Sequence, residues 1–239
     1  QVSGRKAIAP RWSVIGSFGA VSRAHDANAL TYDSSQLDAA LGARYRAGRD
    51  EYTAALQADN STIANAPARS GWNVTGEWTH RLDAFRQFNA YAQIGQLSYP
   101  QKTRNVDRYV FGAGYGQQFR SELSVYASAY LGQEVTSQPG VGHLGHQLAG
   151  GRLGMQQPFG SKLALFGALS LEDRRYNGPD PFFLSTRHDQ QWGITAGAHW
   201  IPAKAWRITP QWNYLQTVSN ISTSSSEKQT LSVAARREF

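Results

Sequence analysis

The amino-acid sequence predicts an all-β fold, a transmembrane antiparallel up-and-down β-barrel of about twelve strands, with fourteen strands as the alternative. Three observations support this prediction. Apolar and polar residues alternate along most of the chain, the connections between the alternating segments are by turns short and long, and aromatic residues lie beside those connections. All three are features of bacterial outer-membrane barrels, whose walls are apolar outside and polar inside.

The composition fits such a wall and excludes a membrane-spanning helix. The 239 residues have a mean hydropathy of -0.49, yet they include 7 Trp, 11 Tyr, 10 Phe and 23 Gly. An apolar and a polar face cancel in an average of this kind, whereas a spanning helix needs about 20 apolar residues in succession. The absence of Cys fits a protein that crosses the oxidising periplasm. We interpret the whole chain, residues 1–239, as one barrel domain.

The net charge of +7 does not indicate nucleic-acid binding. The 24 Lys and Arg residues are scattered, and no run of them is longer than two residues. A nucleic-acid interface would gather them into a patch or along a helix. The chain starts at Gln1 without Met or an apolar leader, so we expect a mature or excised segment of a larger protein.

Twelve segments show the period-two alternation that is typical of half-buried strands. In residues 37–45, for example, Leu37, Ala39, Leu41, Ala43 and Tyr45 fall at every second position. The twelve predicted strands lie around residues 12–20, 37–45, 52–58, 72–78, 88–94, 109–115, 123–131, 149–155, 163–171, 192–200, 206–214 and 231–239. A membrane strand needs about ten residues, so twelve strands and their connections fit this length.

The predicted connections alternate in length along the chain. The short ones are residues 47–50, 82–84, 120–122, 159–162 and 202–204, and the long ones are 25–35, 65–70, 100–107, 134–145, 175–189 and 219–228. Outer-membrane barrels have short periplasmic turns and longer external loops. The sequence therefore predicts that the short connections face the periplasm.

Aromatic residues are expected to mark both membrane interfaces, because amphipathic rings prefer the headgroup layer. The predicted belt near the short connections and the C-terminus comprises Tyr45, Tyr52, Phe119, Phe159, Trp200, Trp206 and Phe239. The belt near the long connections comprises Trp72, Tyr109 and Trp192, with Tyr99 and Tyr176 beside them. The alternative is a soluble β-protein that uses these rings in its core.

Residues between the apolar positions should face the lumen. The charged members of this inward set are Asp38, Arg44, Asp59, Glu77, Arg152, Glu172, Arg207, Arg236 and Glu238. An isolated charge in a low dielectric is costly, so each needs water or a partner. Two alternatives remain open: the charges line a hydrated channel, or they pair across a narrow lumen and largely close it.

The sequence contains few candidates for chemistry, and we expect no catalytic residue, metal or cofactor. His143 and His146 lie in a glycine-rich loop without a third ligand at useful spacing. Asp173, His188 and Asp189 flank the longest predicted loop and could serve a surface hydrolase, but no nucleophile motif accompanies them. Polar residues at the rim of a barrel explain these positions better.

Three stretches resemble a known family. They are residues 25–28 (His-Asp-Ala-Asn), residues 181–183 (Pro-Phe-Phe) before 187–189 (Arg-His-Asp), and the C-terminal run from Ile208 to Phe239. Together they are similar to the C-terminal barrels of surface lipoprotein assembly modifiers and of related export barrels linked to tetratricopeptide repeats. The likeness spans most of the chain and is strongest over roughly the last sixty residues. It implies fourteen or more strands and a periplasmic helical-repeat domain upstream.

The leading functional hypothesis is an outer-membrane transport or secretion barrel of a Gram-negative bacterium. It would help to move a macromolecule, a surface lipoprotein or an exopolysaccharide, to the cell surface. Its expected partners are outer-membrane lipid, the barrel-assembly machinery, a periplasmic helical-repeat domain and the translocated lipoprotein or polysaccharide, but no nucleic acid. A passive porin for small solutes is the alternative, and an outer-membrane hydrolase is the third hypothesis.

Overall fold

The computed structural model describes residues 2–24, 33–136 and 138–237, and these residues form an all-β antiparallel fold. Thirteen strands follow one another in one sheet in the order of the chain, so each strand pairs with its sequence neighbours. The strands are β1 (Val2–Ala9), β2 (Trp12–Arg23), β3 (Ser34–Ala47), β4 (Asp50–Ile63), β5 (Ala66–Arg81), β6 (Arg86–Ser98), β7 (Val106–Gln118), β8 (Ser124–Thr136), β9 (His146–Phe159), β10 (Leu163–Pro179), β11 (Thr186–Trp200), β12 (Trp206–Ser219) and β13 (Ser226–Arg237). Single 3₁₀ turns occur at Lys102–Arg104, Gly142–Leu144 and Ser222–Ser224. Within the described residues, none of the helical segments is long and apolar enough to cross a membrane.

Two compact units make up the chain. Unit 1 comprises Gln1–Arg81, Asn89–Phe111 and Gly132–His146, and unit 2 comprises Leu82–Phe88, Gly112–Leu131 and Gln147–Phe239. Strands β1–β5 belong to unit 1 and β10–β13 to unit 2, while β6–β9 are divided.

The strands have one apolar and one polar face, as the alternation predicts. In β10 the leucines at 163, 165, 169 and 171 are all exposed, while the even-numbered residues between them are partly buried. Leu171 is 67% exposed. We call the side that carries these leucines the apolar face and the other side the polar face. Contiguous apolar surface of this extent marks a membrane or partner contact.

Strand β1 was not predicted, and it brings the number of strands to thirteen rather than twelve. It pairs with β2 from Val2↔Phe18 to Ala9↔Trp12. The sequence pattern misses it because Arg5 and Lys6 stand side by side in the middle of eight residues, which breaks the apolar alternation. The twelve predicted segments fall within strands β2–β13, except that Leu123 precedes β8 and that Glu238 and Phe239 lie outside the described residues.

One predicted long connection is wrong. Residues 65–70 were expected to form an external loop, but β4 and β5 are joined by a tight turn at Ala64 and Asn65. Both residues have positive φ, 50° and 61°. Two successive residues with positive φ form a type I′ turn, and the backbone twist of this turn matches the twist of the two strands that it joins. The predicted loop 175–189 is also shorter, because β10 continues to Pro179 and β11 begins at Thr186.

Other connections follow the predicted alternation. The connections at one end of the strands are residues 10–11, 48–49, 82–85, 119–123, 160–162 and 201–205. Those at the opposite end, beside the tight turn, include residues 99–105, 138–145, 180–185 and 220–225. In the turn 82–85, Asp83 accepts hydrogen bonds from the backbone N–H groups of Phe85 and Arg86, both at 2.8 Å. The Arg86 side chain also donates to Asp83, and this bond holds the pKa of the Asp83 carboxyl below its usual value.

A proline interrupts the pairing of β11 with β12. The register runs from Asp189↔Ser219 to Gly197↔Gln211 and resumes at Trp200↔Ile208, so that it skips Ala198 and His199. Pro210 lies opposite this gap and has no backbone N–H to donate. On the other side of β12 the pairing with β13 is continuous, and Pro210 lies opposite Val233.

Candidate functional site on the polar face

In unit 2, the polar face of β8–β11 carries a network around Glu172. The Tyr130 hydroxyl of β8 and the Arg174 guanidinium of β10 both donate hydrogen bonds to the Glu172 carboxylate. The Glu172 side chain is 14% exposed. A partly buried carboxylate that accepts two such bonds is held in one position, because charge-assisted hydrogen bonds are the strong ones.

A second node lies around Asp189, which is only 1% exposed. Arg187 binds both carboxylate oxygens, with Nε 2.9 Å from Oδ1 and Nη2 2.6 Å from Oδ2. The Arg187 Cζ atom lies 4.7 Å from the centroid of the Tyr176 ring, and the Tyr176 hydroxyl is 3.5 Å from Asp189 Oδ2. Asp189 is therefore neutralised by a bidentate arginine, which in turn is stacked on an aromatic ring.

The side chains around Glu172 and those around Asp189 lie next to each other because β10 pairs with β11. Arg174 of β10 lies opposite Asp189 of β11, and Glu172 lies opposite Gln191. Gln191 then donates to Thr217 Oγ1 of β12 at 3.1 Å. Acidic and basic groups alternate across these strands, so each charge has an opposite charge as its neighbour on the same face.

Tyrosine rings on β8 cover glycines on β9. A Cβ atom added to Gly150 would lie 2.4 Å from the Tyr130 ring, and one added to Gly154 would lie 2.2 Å from the Tyr126 ring. Only glycine allows the rings to approach the strand this closely. Arg152, between the two glycines, has its Cζ atom 5.8 Å from the Tyr126 ring centroid. The glycines thus place Tyr130 where it reaches Glu172.

Unit 1 has smaller clusters of charged side chains on its polar face. Near the short connection 48–49, the carboxylate of Glu51 binds Arg44 Nε at 3.1 Å and Arg46 Nε at 2.5 Å. Towards the other end of β4, Asp59 Oδ2 binds Arg69 Nη2 at 2.9 Å.

A third cluster of unit 1 joins β7, β8 and the start of β9. Glu134 Oε1 is 3.6 Å from Arg108 Nη1, and Glu134 Oε2 is 3.8 Å from His146 Nδ1. The side chains of Glu134 and His146 are largely buried. In all three clusters of unit 1, each charged side chain pairs with a side chain of opposite type on a neighbouring strand.

The other predicted lumen residues occupy simpler surroundings. Asp38 lies directly opposite Asp59 in the β3–β4 register, and Glu77 accepts from Thr79 Oγ1 at 3.4 Å. Arg207 lies opposite Arg236 in the β12–β13 register. Glu238, and Phe239 of the predicted aromatic belt, fall outside the described residues.

Sequence reasoning missed the partners that complete these networks. They are Arg46, Glu51, Arg69, Arg108, Glu134, Arg174, Arg187 and the tyrosines at 126, 130 and 176. Many of these residues could have been found from their odd or even position in the strand, because this position sets the face of the sheet on which a side chain lies. Arg174, for example, has the same parity as Glu172, but it lies further beyond the predicted end of the strand at residue 171.

The geometry does not support the hydrolase hypothesis. His188 Nε2 lies 2.5 Å from Asp173 Oδ2, and Asp173 also binds Arg175 Nε at 3.1 Å. Asp189, the third candidate, is the next residue after His188 and therefore points to the other side of the sheet. Its carboxylate is occupied by Arg187. Asp189 is therefore not a third member of the Asp173–His188 pair.

Among the residues that the structure describes, no group of three His, Asp or Glu side chains could hold a metal ion. His146 is directed to Glu134, and His143 lies in the 3₁₀ turn Gly142–Leu144. The two histidines that were predicted to share one loop therefore lie in different elements, His143 in the 3₁₀ turn and His146 at the start of β9.

Several predicted interface aromatics lie on the apolar face. Trp72, Tyr52, Phe119, Phe159, Trp200 and Trp206 are all exposed there or in the adjoining turns. Tyr176 was expected beside the outer belt, but its ring packs against Arg187 on the polar face. Its even position in β10 accounts for this, since the apolar residues of that strand are odd-numbered.

Comparison with known proteins identifies the fold. No protein-family model matches the sequence, and no curated protein matches it significantly. Among solved structures, the CymD monoaromatic hydrocarbon channel aligns with a TM-score of 0.59 at 9% identity, over 99% of this chain and 81% of that one. The Pseudomonas putida toluene transporter TodX gives 0.55 at 12% identity, again over 99% and 81%. The copper transporter OprC gives 0.50 at 10% identity, over 95% of this chain and 46% of that one. At these identities the likeness concerns the fold alone, and the chain has the antiparallel architecture of outer-membrane β-barrels.

Proposed function

We propose that this chain is the barrel of an outer-membrane transport protein that helps to move a macromolecule to the cell surface, through a lumen that is mostly closed at rest. The pairing of charges on the polar face carries the proposal. Glu172, Asp189 and Arg187 are each held by neighbouring side chains. A charge that is engaged in this way attracts fewer mobile ions than a hydrated one.

The names of the similar structures favour passage across a membrane over chemistry. One of the three is a channel and two are transporters. The resemblance to surface lipoprotein assembly modifiers supplies the finer proposal, that the cargo is a surface lipoprotein or an exopolysaccharide delivered by a periplasmic helical-repeat domain. The outer membrane of a Gram-negative bacterium is the location that follows from the proposal.

Single-channel recording in planar bilayers tests the closed resting state. The unmodified barrel should show low basal conductance. Glu172→Gln should raise it, because the Arg174 guanidinium and the Tyr130 hydroxyl lose their charged acceptor and turn to water. Asp173→Asn is the matched control, since Asp173 adjoins Glu172 but belongs to the other face and should leave conductance unchanged.

A large and steady conductance of the unmodified barrel would contradict the proposal and favour the passive porin. The cargo is tested separately in cells that lack the full-length protein. Surface lipoproteins should then lose their accessibility to added protease, or surface polysaccharide should decline. Retention of both would refute the export role even if the conductance were low.

A further inference from the structure

Two neighbouring rows of uncharged residues cross β10–β13 on the polar face of unit 2. The strand register gives one residue per strand in each row: Phe166, Gly197, Gln211 and Ser232 in the first, and Ala168, Thr195, Asn213 and Thr230 in the second. We call these two rows the neutral strip. Neighbouring strands of a sheet are about 4.8 Å apart, so the strip is about 14 Å wide across the strands.

On these four strands, which the structure describes in full, the charged side chains of the polar face lie outside the neutral strip. On β10 the next charged residue of this face after Ala168 is Glu172, and on β12 the last one before the strip is Arg207. On β13 the nearest is Lys228, beside Thr230. A ligand that lies on the strip therefore meets polar groups without charge.

The amide and hydroxyl groups of the neutral strip hold one another in place. Asn213 Oδ1 accepts hydrogen bonds from Thr195 Oγ1 at 3.0 Å and from Gln211 Nε2 at 2.8 Å. A carboxamide has an acceptor oxygen and two N–H donors. In these bonds Asn213 uses its oxygen and Gln211 uses an N–H group. The N–H groups of Asn213 and the oxygen of Gln211 can therefore bind a ligand without breaking this arrangement.

Phe166 provides an aromatic surface at the edge of the neutral strip. Its ring lies across Gly197 of the neighbouring strand, where an added Cβ atom would be 2.4 Å from Phe166 Cζ. The imidazole of His199 is stacked with this ring, with the centroids 4.7 Å apart and the planes at 27°. His199 is itself held by Thr209, with Nδ1 3.0 Å from Oγ1. Phe166 is half-buried, so part of its ring remains accessible on the polar face.

We propose that the neutral strip binds a neutral polysaccharide chain. This inference rests on the proposed export function and narrows its cargo to one of the two candidates. The hydroxyl groups around the edge of a sugar ring form hydrogen bonds with amides such as those of Gln211 and Asn213. The C–H groups on the faces of the sugar pack against an aromatic ring such as that of Phe166. The strip offers both kinds of contact side by side.

The absence of charge within the neutral strip decides between this ligand and other occupants. A polysaccharide with carboxylate or ammonium groups would lose water there without gaining a counter-charge. The acyl chain of a lipoprotein would cover Gln211 and Asn213 and leave their polar groups without hydrogen bonds. A neutral glycan avoids both costs.

Isothermal titration calorimetry of the folded chain, in a detergent without a sugar headgroup, tests the proposal. The neutral probes are maltohexaose and cellohexaose, and the charged probes are the anionic hexamer of galacturonic acid and the cationic hexamer of glucosamine. At least one neutral probe should bind more tightly than both charged probes. Added salt should leave its affinity unchanged, because no ion pair that salt could screen contributes to binding.

Two substitutions in the neutral strip separate its contacts. Phe166→Leu removes the aromatic ring and Gln211→Met removes the amide, and each should weaken binding of the neutral probe by about tenfold, the equivalent of about 1.4 kcal/mol. Phe166→Tyr keeps the ring and should retain binding. The matched controls are Trp212→Leu and Gln216→Met, which change the opposite face of β12 and should bind as the unmodified chain does. Heat-modifiable migration on gels shows which variants are folded.

The proposal is overturned if neither neutral probe binds, if a charged probe binds as tightly, or if both strip variants bind as tightly as their controls. Displacement of the neutral probe by a synthetic triacylated lipopeptide would also overturn it and favour the lipoprotein. The export function fails separately. A barrel that binds the neutral probe but conducts steadily is a porin with a sugar site, whereas a closed barrel that binds no glycan refutes this inference alone.

Discussion

Replacing Asp189 with asparagine is the sharpest test of the polar-face network. Asp189 is almost fully buried and shares two hydrogen bonds with Arg187, at 2.9 and 2.6 Å. Asp189→Asn keeps the size of the side chain but removes its charge and one acceptor oxygen. The Arg187 guanidinium then remains in place without its counter-charge.

The expected cost follows from burial and from the number of bonds. A hydrogen bond to a charged group contributes about 1.5–3 kcal/mol, and breaking a buried ion pair costs about 3–5 kcal/mol. The side chain of Arg187 is 30% exposed, so water recovers part of the loss. We therefore expect the free energy of unfolding to fall by about 2–3 kcal/mol.

Asp173→Asn is the control on the same hairpin but on the other face. The side chains of Asp173 and its partners Arg175 and His188 are 34%, 75% and 40% exposed, and an exposed pair contributes at most about 1 kcal/mol. Urea unfolding of both variants in lipid vesicles gives the comparison. Equal losses would refute the assignment of Asp189 to a buried network. The double variant Asp189→Leu with Arg187→Met should recover most of the stability, because it leaves no buried charge.

Two further predictions concern the wall and its orientation. Leu165→Arg, on the apolar face, should cost roughly 2–4 kcal/mol in vesicles if it lies near the bilayer midplane, whereas Ala164→Ser, its polar-face neighbour, should cost much less; equal costs would mean that the faces are assigned wrongly. Because the chain has no cysteine, Phe182→Cys and Ser121→Cys can be labelled without background. A membrane-impermeant reagent should label Phe182→Cys, which is in the connection 180–185, on intact cells, but not Ser121→Cys in the short connection 119–123; the opposite pattern would reverse the topology.

Period-two alternation was enough to predict β2–β13, because most of these strands have an apolar face that is exposed along the middle of the strand. Leu165 and Leu169 are examples, both exposed and both at odd positions of β10. The alternation failed where its physical basis was missing. In β1 the polar pair Arg5 and Lys6 interrupts it, so the strand is defined by pairing with β2 rather than by its own pattern.

The turn at Ala64 and Asn65 could not be predicted from composition. The two turn residues, Ala64 and Asn65, are not the Asn-Gly or Asp-Gly pair that usually indicates a two-residue hairpin. The predicted loop instead covered residues 65–70, of which all but the first belong to β5. These residues are the first part of β5, where Pro67 pairs with Thr62 beside an irregularity in the register.

The inward set was predicted as a list of single charges, and the sequence could not show how they combine. Glu172 and Tyr130 are 42 residues apart along the chain, and their hydrogen bond depends on the register of β8 to β10. Register is fixed by the whole hydrophobic pattern and by the turns, not by any local motif. The glycines at 150 and 154 carried a signal, since they alternate with Arg152 on the face where the tyrosines lie.

Pro210 has a consequence for how the wall deforms. Where a ladder lacks backbone hydrogen bonds, two strands separate at lower cost, and here the interruption spans Ala198 and His199 opposite Thr209 and Pro210. The amide protons at this place are expected to exchange with solvent faster than those of the continuous β12–β13 ladder. A mechanical load across β11 and β12 would therefore fall partly on side chains at this place, through the contact between His199 Nδ1 and Thr209 Oγ1 at 3.0 Å.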